Sequence, residues 1–198
     1  MAYTNCAANL AANIAQDCAH PIVGGYTGRG VLIPLSVLTP TIVQDGENPR
    51  LLTTLSVSGT GVVVVDNVFA EPFTGSTTAG NADSGRPMYT KTMAVRIPKR
   101  GAATAKDIVE PLFASAQGFI GVFEKKDNVG DGSYEVIGLL QPMKGDIASL
   151  TRDESANGGD WSVNLVSVEP YAEVTLVGEE KTYASAKTAF EALIAQAV

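Results

Sequence analysis

Three short apolar runs follow one another between Gly118 and Tyr171, each bounded by glycine, aspartate or asparagine, a spacing that suits strands. Gly118-Phe-Ile-Gly-Val-Phe-Glu124 reads as a buried strand and Lys126-Asp-Asn-Val-Gly-Asp-Gly132 as a turn. Ser133–Leu140 reads as a second strand, and Asp160–Glu169, after a polar loop from Leu150 to Gly159, as a third. The expectation is a β-meander, and such a run carries no chemistry of its own.

The rest of the chain adds strands around it. Val31–Val43 is β-branched and apolar but holds Pro34 and Pro40. Proline has no N–H for a central ladder, so this segment predicts an edge strand or two short strands broken at Pro40. Leu51–Val57 and Gly61–Val68 predict a hairpin turning at Ser58-Gly59-Thr60. Met88–Pro98 alternates, with Tyr89, Lys91, Met93, Val95 and Ile97 on one side. From Glu71 to Pro87 the residues become small and polar, which predicts a long surface loop or, alternatively, a hairpin or arm that orders against a partner subunit. Tyr171–Val177 supplies one more short strand.

Helical spacing occurs in three places. Thr104–Gln117 sets Ile108, Val109, Leu112, Phe113 and Ala116 on one stripe, with Thr104 as the expected N-cap, Pro111 as a kink or a delayed start, and Gly118 as the stop. Ala7–Cys18 places Leu10 and Ile14 four residues apart among alanines and ends at His20-Pro21. Glu180–Val198 carries Tyr183, Ala186, Phe190, Leu193 and Ile194 along one side, as a docking tail or a fraying end. Together these predict a mainly β (α+β) fold: an antiparallel β-sandwich or barrel with one flanking helix and terminal helical arms. The expected division is an N-terminal arm over 1–25, a β-sandwich or barrel domain over 26–178 with a long loop at 71–87, and a C-terminal helical tail over 179–198.

Composition narrows the function. At 198 residues and 20.6 kDa, with 45% hydrophobic and 18% charged residues, the chain has the makings of one well-buried domain. Its 21 acidic against 14 basic residues leave a net charge of -7, which argues against gripping a phosphate backbone. Cys6 and Cys18 are too few for a disulfide framework and lack the partners of a zinc site; both are expected to be reduced. The opening residues have no basic n-region, and no window reaches the roughly 18 apolar residues a membrane helix needs, so the expectation is a soluble chain made in the cytoplasm with no membrane partner.

Catalytic sets do not assemble from these residues. His20 is the single histidine, it precedes a proline, and nothing around it completes a triad; Cys18 two residues earlier reads as structural. The glycine-dense Gly24–Gly30 lacks the Gly-Lys-Ser/Thr end of a phosphate loop and leads into a strand, so it reads as a turn-rich link. Asp127–Gly132 resembles a calcium loop in composition but lacks the closing bidentate acid, and reads as a hairpin turn. Asp153, Glu154 and Asp160 read as a solvated face. Glu110, Glu124 and Glu135 are candidate paired carboxylates for glycoside hydrolysis, yet with one tryptophan in the chain a sugar-stacking cleft is not evident. The expectation is a non-enzyme with no catalytic, cofactor-binding or metal-ligating residue and no cofactor.

Ser133-Tyr-Glu-Val-Ile-Gly-Leu-Leu-Gln-Pro-Met-Lys144, followed by Gly158-Gly-Asp-Trp-Ser-Val-Asn-Leu165, resembles structural proteins of tailed bacteriophages. The likeness is to tail-tube-like and ring-like virion proteins of phages infecting Bacteroides-type bacteria, and Cys18–Gly25 is similar to the short cysteine-containing opening of that group. The resemblance spans about Cys18 to Val177, and the alanine-rich tail from Glu180 departs from it. It implies a virion structural protein that self-assembles into a homo-oligomeric ring, commonly a hexamer, or stacks into a tail tube. It also implies contacts with neighbouring virion proteins and a lumen through which DNA passes without specific binding. A surface adhesion or carbohydrate-binding β module is the alternative.

Overall fold

A computed structural model describes residues 24–66, 73–81, 87–97, 101–126, 132–146, 151–152 and 161–197. Its strands are β1 (Tyr26–Pro34), β2 (Pro40–Gln44), β3 (Leu51–Val57), β4 (Val63–Asp66), β5 (Phe73–Asn81), β6 (Pro87–Ile97), β7 (Phe119–Lys125), β8 (Tyr134–Ile137), β9 (Lys144–Gly145), β10 (Thr151–Arg152), β11 (Trp161–Glu169) and β12 (Thr175–Leu176). Helical pieces α1 (Ala102–Thr104) and α2 (Glu110–Ala114) flank a π-helical turn over Ala105–Val109, and α3 spans Tyr183–Ile194. The strands form two sheets. A seven-stranded sheet runs β2-β3-β12-β8-β7-β1-β4, and a second runs β10-β11-β6-β5, with β9 beside β11. The fold is mainly β and sandwich-like, antiparallel except where β12 pairs parallel with β3.

The central strands of the larger sheet are apolar on both faces because both faces are covered. On one face Val31, Ile33, Ile120, Val122, Tyr134 and Val136 pack with α3 through Ala186, Phe190 and Leu193. On the other, Leu32, Phe119, Phe123 and Ile137 meet Met93 and Val95 of β6 and Val163 and Leu165 of β11. Val109 and Leu112 of the flanking helix close this second core. The larger sheet is also rolled. Five residues, 58–62, join β3 to β4 although four strands lie between them in the sheet. A flat sheet would set those strands about 24 Å apart, while six peptide steps span about 20 Å. Curling around α3 closes the gap.

α3 begins with a capping box: the Thr182 hydroxyl accepts from the Ser185 N–H at 3.2 Å and the Ser185 hydroxyl accepts from the Thr182 N–H at 3.3 Å. Gly178, at φ +71°, packs so tightly on this turn that a Cβ would lie 2.6 Å from Ser185. The segment expected as a tail over 179–198 is therefore a layer of the core, with Phe190 fully buried.

Several sequence expectations are corrected here. β1 is an interior strand, flanked by β7 and β4, and it already starts at Tyr26, so Gly28 and Gly30 belong to it and not to a link. Pro34 is tolerated because it is the strand's last residue; β2, opening on Pro40, is the edge. β3 and β4 do not form a hairpin, since β3 pairs with β2 and β12 while β4 pairs with β1. The expected loop at 71–87 contains β5, which pairs with β6 over its whole length as a hairpin within the chain, where the alternative had it ordering only against a partner subunit. The three-strand meander is limited to β7 and β8. After β8 the chain turns at Gly138, where φ is +87° and a Cβ would meet the Phe119 carbonyl oxygen at 2.5 Å, and β11 joins β6 in the other sheet. The flanking helix starts at Ala102 without a side-chain cap, and its π turn ends just before Pro111, which has no N–H to return to Asp107. The predicted helix over Ala7–Cys18 lies outside the described residues.

Phe190→Ala empties the centre of the α3 core, and chemical denaturation is expected to show a loss of about 3–5 kcal/mol. Thr182→Ala removes one cap bond and should cost about 1 kcal/mol by the same measurement.

Candidate functional site

At the Tyr26 end of the sandwich the alternation of β6 carries a lysine into the core. Lys91 is fully buried between Glu169 of β11 and Glu135 of β8, so the cluster joins the two sheets. Its ammonium lies 3.2 Å from Glu169 Oε2 and 3.7 Å from Glu135 Oε1, close enough to pair by charge though neither Lys91 Nζ nor Glu169 Oε2 has an aligned hydrogen bond among the described residues. Glu135 Oε2 also accepts from the Tyr26 hydroxyl at 2.8 Å and pairs with Lys125 at 3.3 Å, and Lys125 continues to Glu173 near the surface. Burial, then the charge of Glu135, pushes the Tyr26 hydroxyl well above its ordinary pKa. Burial opposes the charge on Lys125, but Glu135 and Glu173 outweigh it and hold its pKa above the usual lysine value.

A second polar group sits on the opposite face of the same sheet. Glu124 accepts from the Thr27 hydroxyl at 2.8 Å and from the Tyr134 hydroxyl at 3.1 Å. Burial, and then the Glu124 charge and Tyr183, push Tyr134 up as well. Arg29 closes this side by pairing with Glu191 of α3 at 2.9 Å and lying 5.6 Å from the centre of the Phe190 ring.

At the other end, the fold leaves an apolar groove of about 810 Å³. Val63 and Val65 of β4 form one side, Leu32, Ile97 and Phe119 lie within it, and Ile108 and Leu112 of the flanking helix form the opposite side. β4 ends the sheet, so apart from the Val62–Ala197 bridge at its start no strand among the described residues pairs with its outer edge. Val37, 72% exposed, and Val63, 40% exposed, stand in the lining. Ser36, Arg96, Asp107 and Gln117 supply polar groups.

These positions decide what the carboxylates can do. Glu124 and Glu135 lie across from each other's neighbours on β7 and β8 but point to opposite faces, each held in its own cluster, and Glu110 is exposed on α2. They are not brought together as an acid and base pair. Among the described residues no three His, Cys, Asp or Glu side chains gather as metal ligands, and no helix is long and apolar enough to cross a membrane. Cys6, Cys18, His20, Asp127, Asp131, Asp153, Glu154 and Asp160 lie outside the described residues. The sequence reading passed over both the Lys91 cluster and the groove. The first had a signal, a lysine on the apolar side of an alternating strand.

Matched against family models, curated proteins and solved structures, the chain finds no counterpart in any of the three.

Lys91→Met strands Glu169 in the core while Glu135 keeps Tyr26 and Lys125, and denaturant titration is expected to show a loss of about 3–5 kcal/mol, part of which Lys91→Met with Glu169→Leu recovers. The tyrosines give a pH test. Tyr26 and Tyr134 keep their protons in the folded chain above the ordinary pKa of 10.0, whereas the unfolded chain loses them there. Their contribution is full below pH 10 and is lost as the pH rises beyond it. Melting temperatures measured from pH 8 to 11 should therefore fall above about pH 10, and Tyr26→Phe should flatten the fall.

Proposed function

We propose that the protein is a virion structural subunit that assembles with copies of itself into a ring or tail tube around passing DNA. One observation carries the assembly half of this reading. A fold that covers both faces of its central sheet nevertheless keeps an apolar groove of about 810 Å³ beside β4, whose outer edge, past the Val62–Ala197 bridge, no strand among the described residues pairs. Such surfaces mark contacts with other chains. The virion half rests on the resemblance of Ser133–Lys144 and Gly158–Leu165 to tail-tube-like and ring-like phage proteins. A net charge of -7 is in keeping with a conduit that repels DNA.

The groove gives the carbohydrate-binding alternative no support. Its lining is mostly aliphatic with a few polar groups, and its single aromatic residue, Phe119, is buried and offers no stacking platform.

Light scattering coupled to size exclusion, with negative-stain microscopy of the same fractions, tests the proposal. Closed rings or tubes with a mass that is a multiple of 20.6 kDa are expected. A 20.6 kDa monomer at every concentration would overturn it.

A further inference from the structure

We propose that the side chains of Lys91 and Glu169 condense into an amide bond that ties β6 to β11, with Glu135 carrying the proton. The bond forms within one chain and does not depend on assembly.

Strand register brings the two partners together. On the antiparallel pair β6 and β11, Lys91 lies opposite Ser167 and Tyr89 opposite Glu169. Lys91 and Glu169 are therefore diagonal neighbours, within reach of each other for long side chains. Both are buried, Lys91 at 0% and Glu169 at 1% exposure. Lys91 Nζ stands 3.2 Å from Glu169 Oε2 and 3.7 Å from Glu135 Oε1. An amine and a carboxyl group held this close meet without the entropy cost of a bimolecular encounter. Neither Lys91 Nζ nor Glu169 Oε2 has an aligned hydrogen bond among the described residues, so none has to be given up when they react.

The remaining groups of the cluster are placed for the chemistry. Glu169 Oε1 accepts from the Leu140 N–H at 3.4 Å, which sets a donor on the oxygen where negative charge gathers when Cδ is attacked. The Tyr26 hydroxyl and Lys125 hold Glu135 Oε2, which leaves Oε1 to face Lys91.

The step balances within these three side chains. One Nζ proton passes to Glu169 Oε2, so that an amine faces a carboxylic acid. The Nζ lone pair then forms a bond to Glu169 Cδ, while Glu135 Oε1 takes a second proton from Nζ and hands it to the departing Oε2. The Cδ–Oε2 bond breaks, water leaves, and Nζ keeps its third proton as the amide N–H. Glu135 ends as it began, still paired with Tyr26 and Lys125. Two buried charges are exchanged for a neutral amide, which removes their desolvation cost. Burial also keeps out the water that would reverse the step.

Mass spectrometry of the full chain under denaturing conditions, followed by fragmentation of its peptides, tests the bond. The expected results are a chain lighter by one water molecule than its residues sum to, and a branched peptide joining Lys91 to Glu169. Lys91→Arg, which keeps the charge but not the nucleophile, should retain the full mass. Glu169→Gln should close with loss of ammonia in place of water and arrive at the mass of the closed parent. Glu135→Gln should slow closure by about 100-fold or more while circular dichroism shows it folded. A folded parent chain that keeps its full mass through prolonged incubation would overturn the proposal. So would water lost elsewhere, between Lys125 and Glu173 or within Asp45-Gly46. Closure of Glu135→Gln at the parent's rate would overturn the role given to Glu135.

Discussion

A strand that is apolar on both faces cannot border water on either, and the middle of this chain consists of such strands. β1, β7 and β8 turn Val31, Val122 and Val136 one way and Leu32, Phe123 and Ile137 the other. Two covers follow from that one demand. α3 plugs the concave side of the rolled sheet through Phe190, and β6 and β11 close the convex side through Met93, Val95, Val163 and Leu165. Burying side chains of this size contributes about 1.5–3 kcal/mol each, which sets the two cores as the main source of stability against the entropy of ordering the chain.

The two ends of the sandwich are finished differently. At the Tyr26 end the sheets are held by charge, with Lys91 between Glu135 and Glu169 and a chain of contacts through Lys125 to Glu173. A buried network of this kind adds little net stability over an apolar core but penalises any packing that separates its members. It ties β6 and β11 to β8 through Lys91. At the Pro34 end, aliphatic side chains are left facing an open groove. Among the described residues, the Tyr26 end thus carries the charged cluster and the Pro34 end the apolar groove.

Much of this was legible in the residues. The alternation of Met88–Pro98 set Met93, Val95 and Ile97 on one side, which is the buried one, and the stripe read along Glu180–Val198 contains Ala186, Phe190 and Leu193, the buried residues of α3. Strand pairing was not legible, because period and turn residues report where a strand is and not which strand lies beside it. The five residues between β3 and β4 look like a hairpin loop until the roll of the sheet brings distant edges together. β5 was read as a loop because Thr74–Asn81 has no apolar alternation; it is held as a strand by backbone pairing with β6. Lys91 shows the limit of pattern at a site: its place on the apolar side was visible, but its partners come from β8 and β11, 44 and 78 residues along the chain.

The proposal that unites these features is a core that folds alone and a groove that a second chain completes. Hydrogen–deuterium exchange of the full chain over a wide range of protein concentration tests it most directly. The account predicts that amides of β7 and β8 exchange slowly at every concentration while those of Val63–Asp66 in β4 slow as the protein is concentrated. Exchange in β4 that is the same from the most dilute to the most concentrated sample would contradict it.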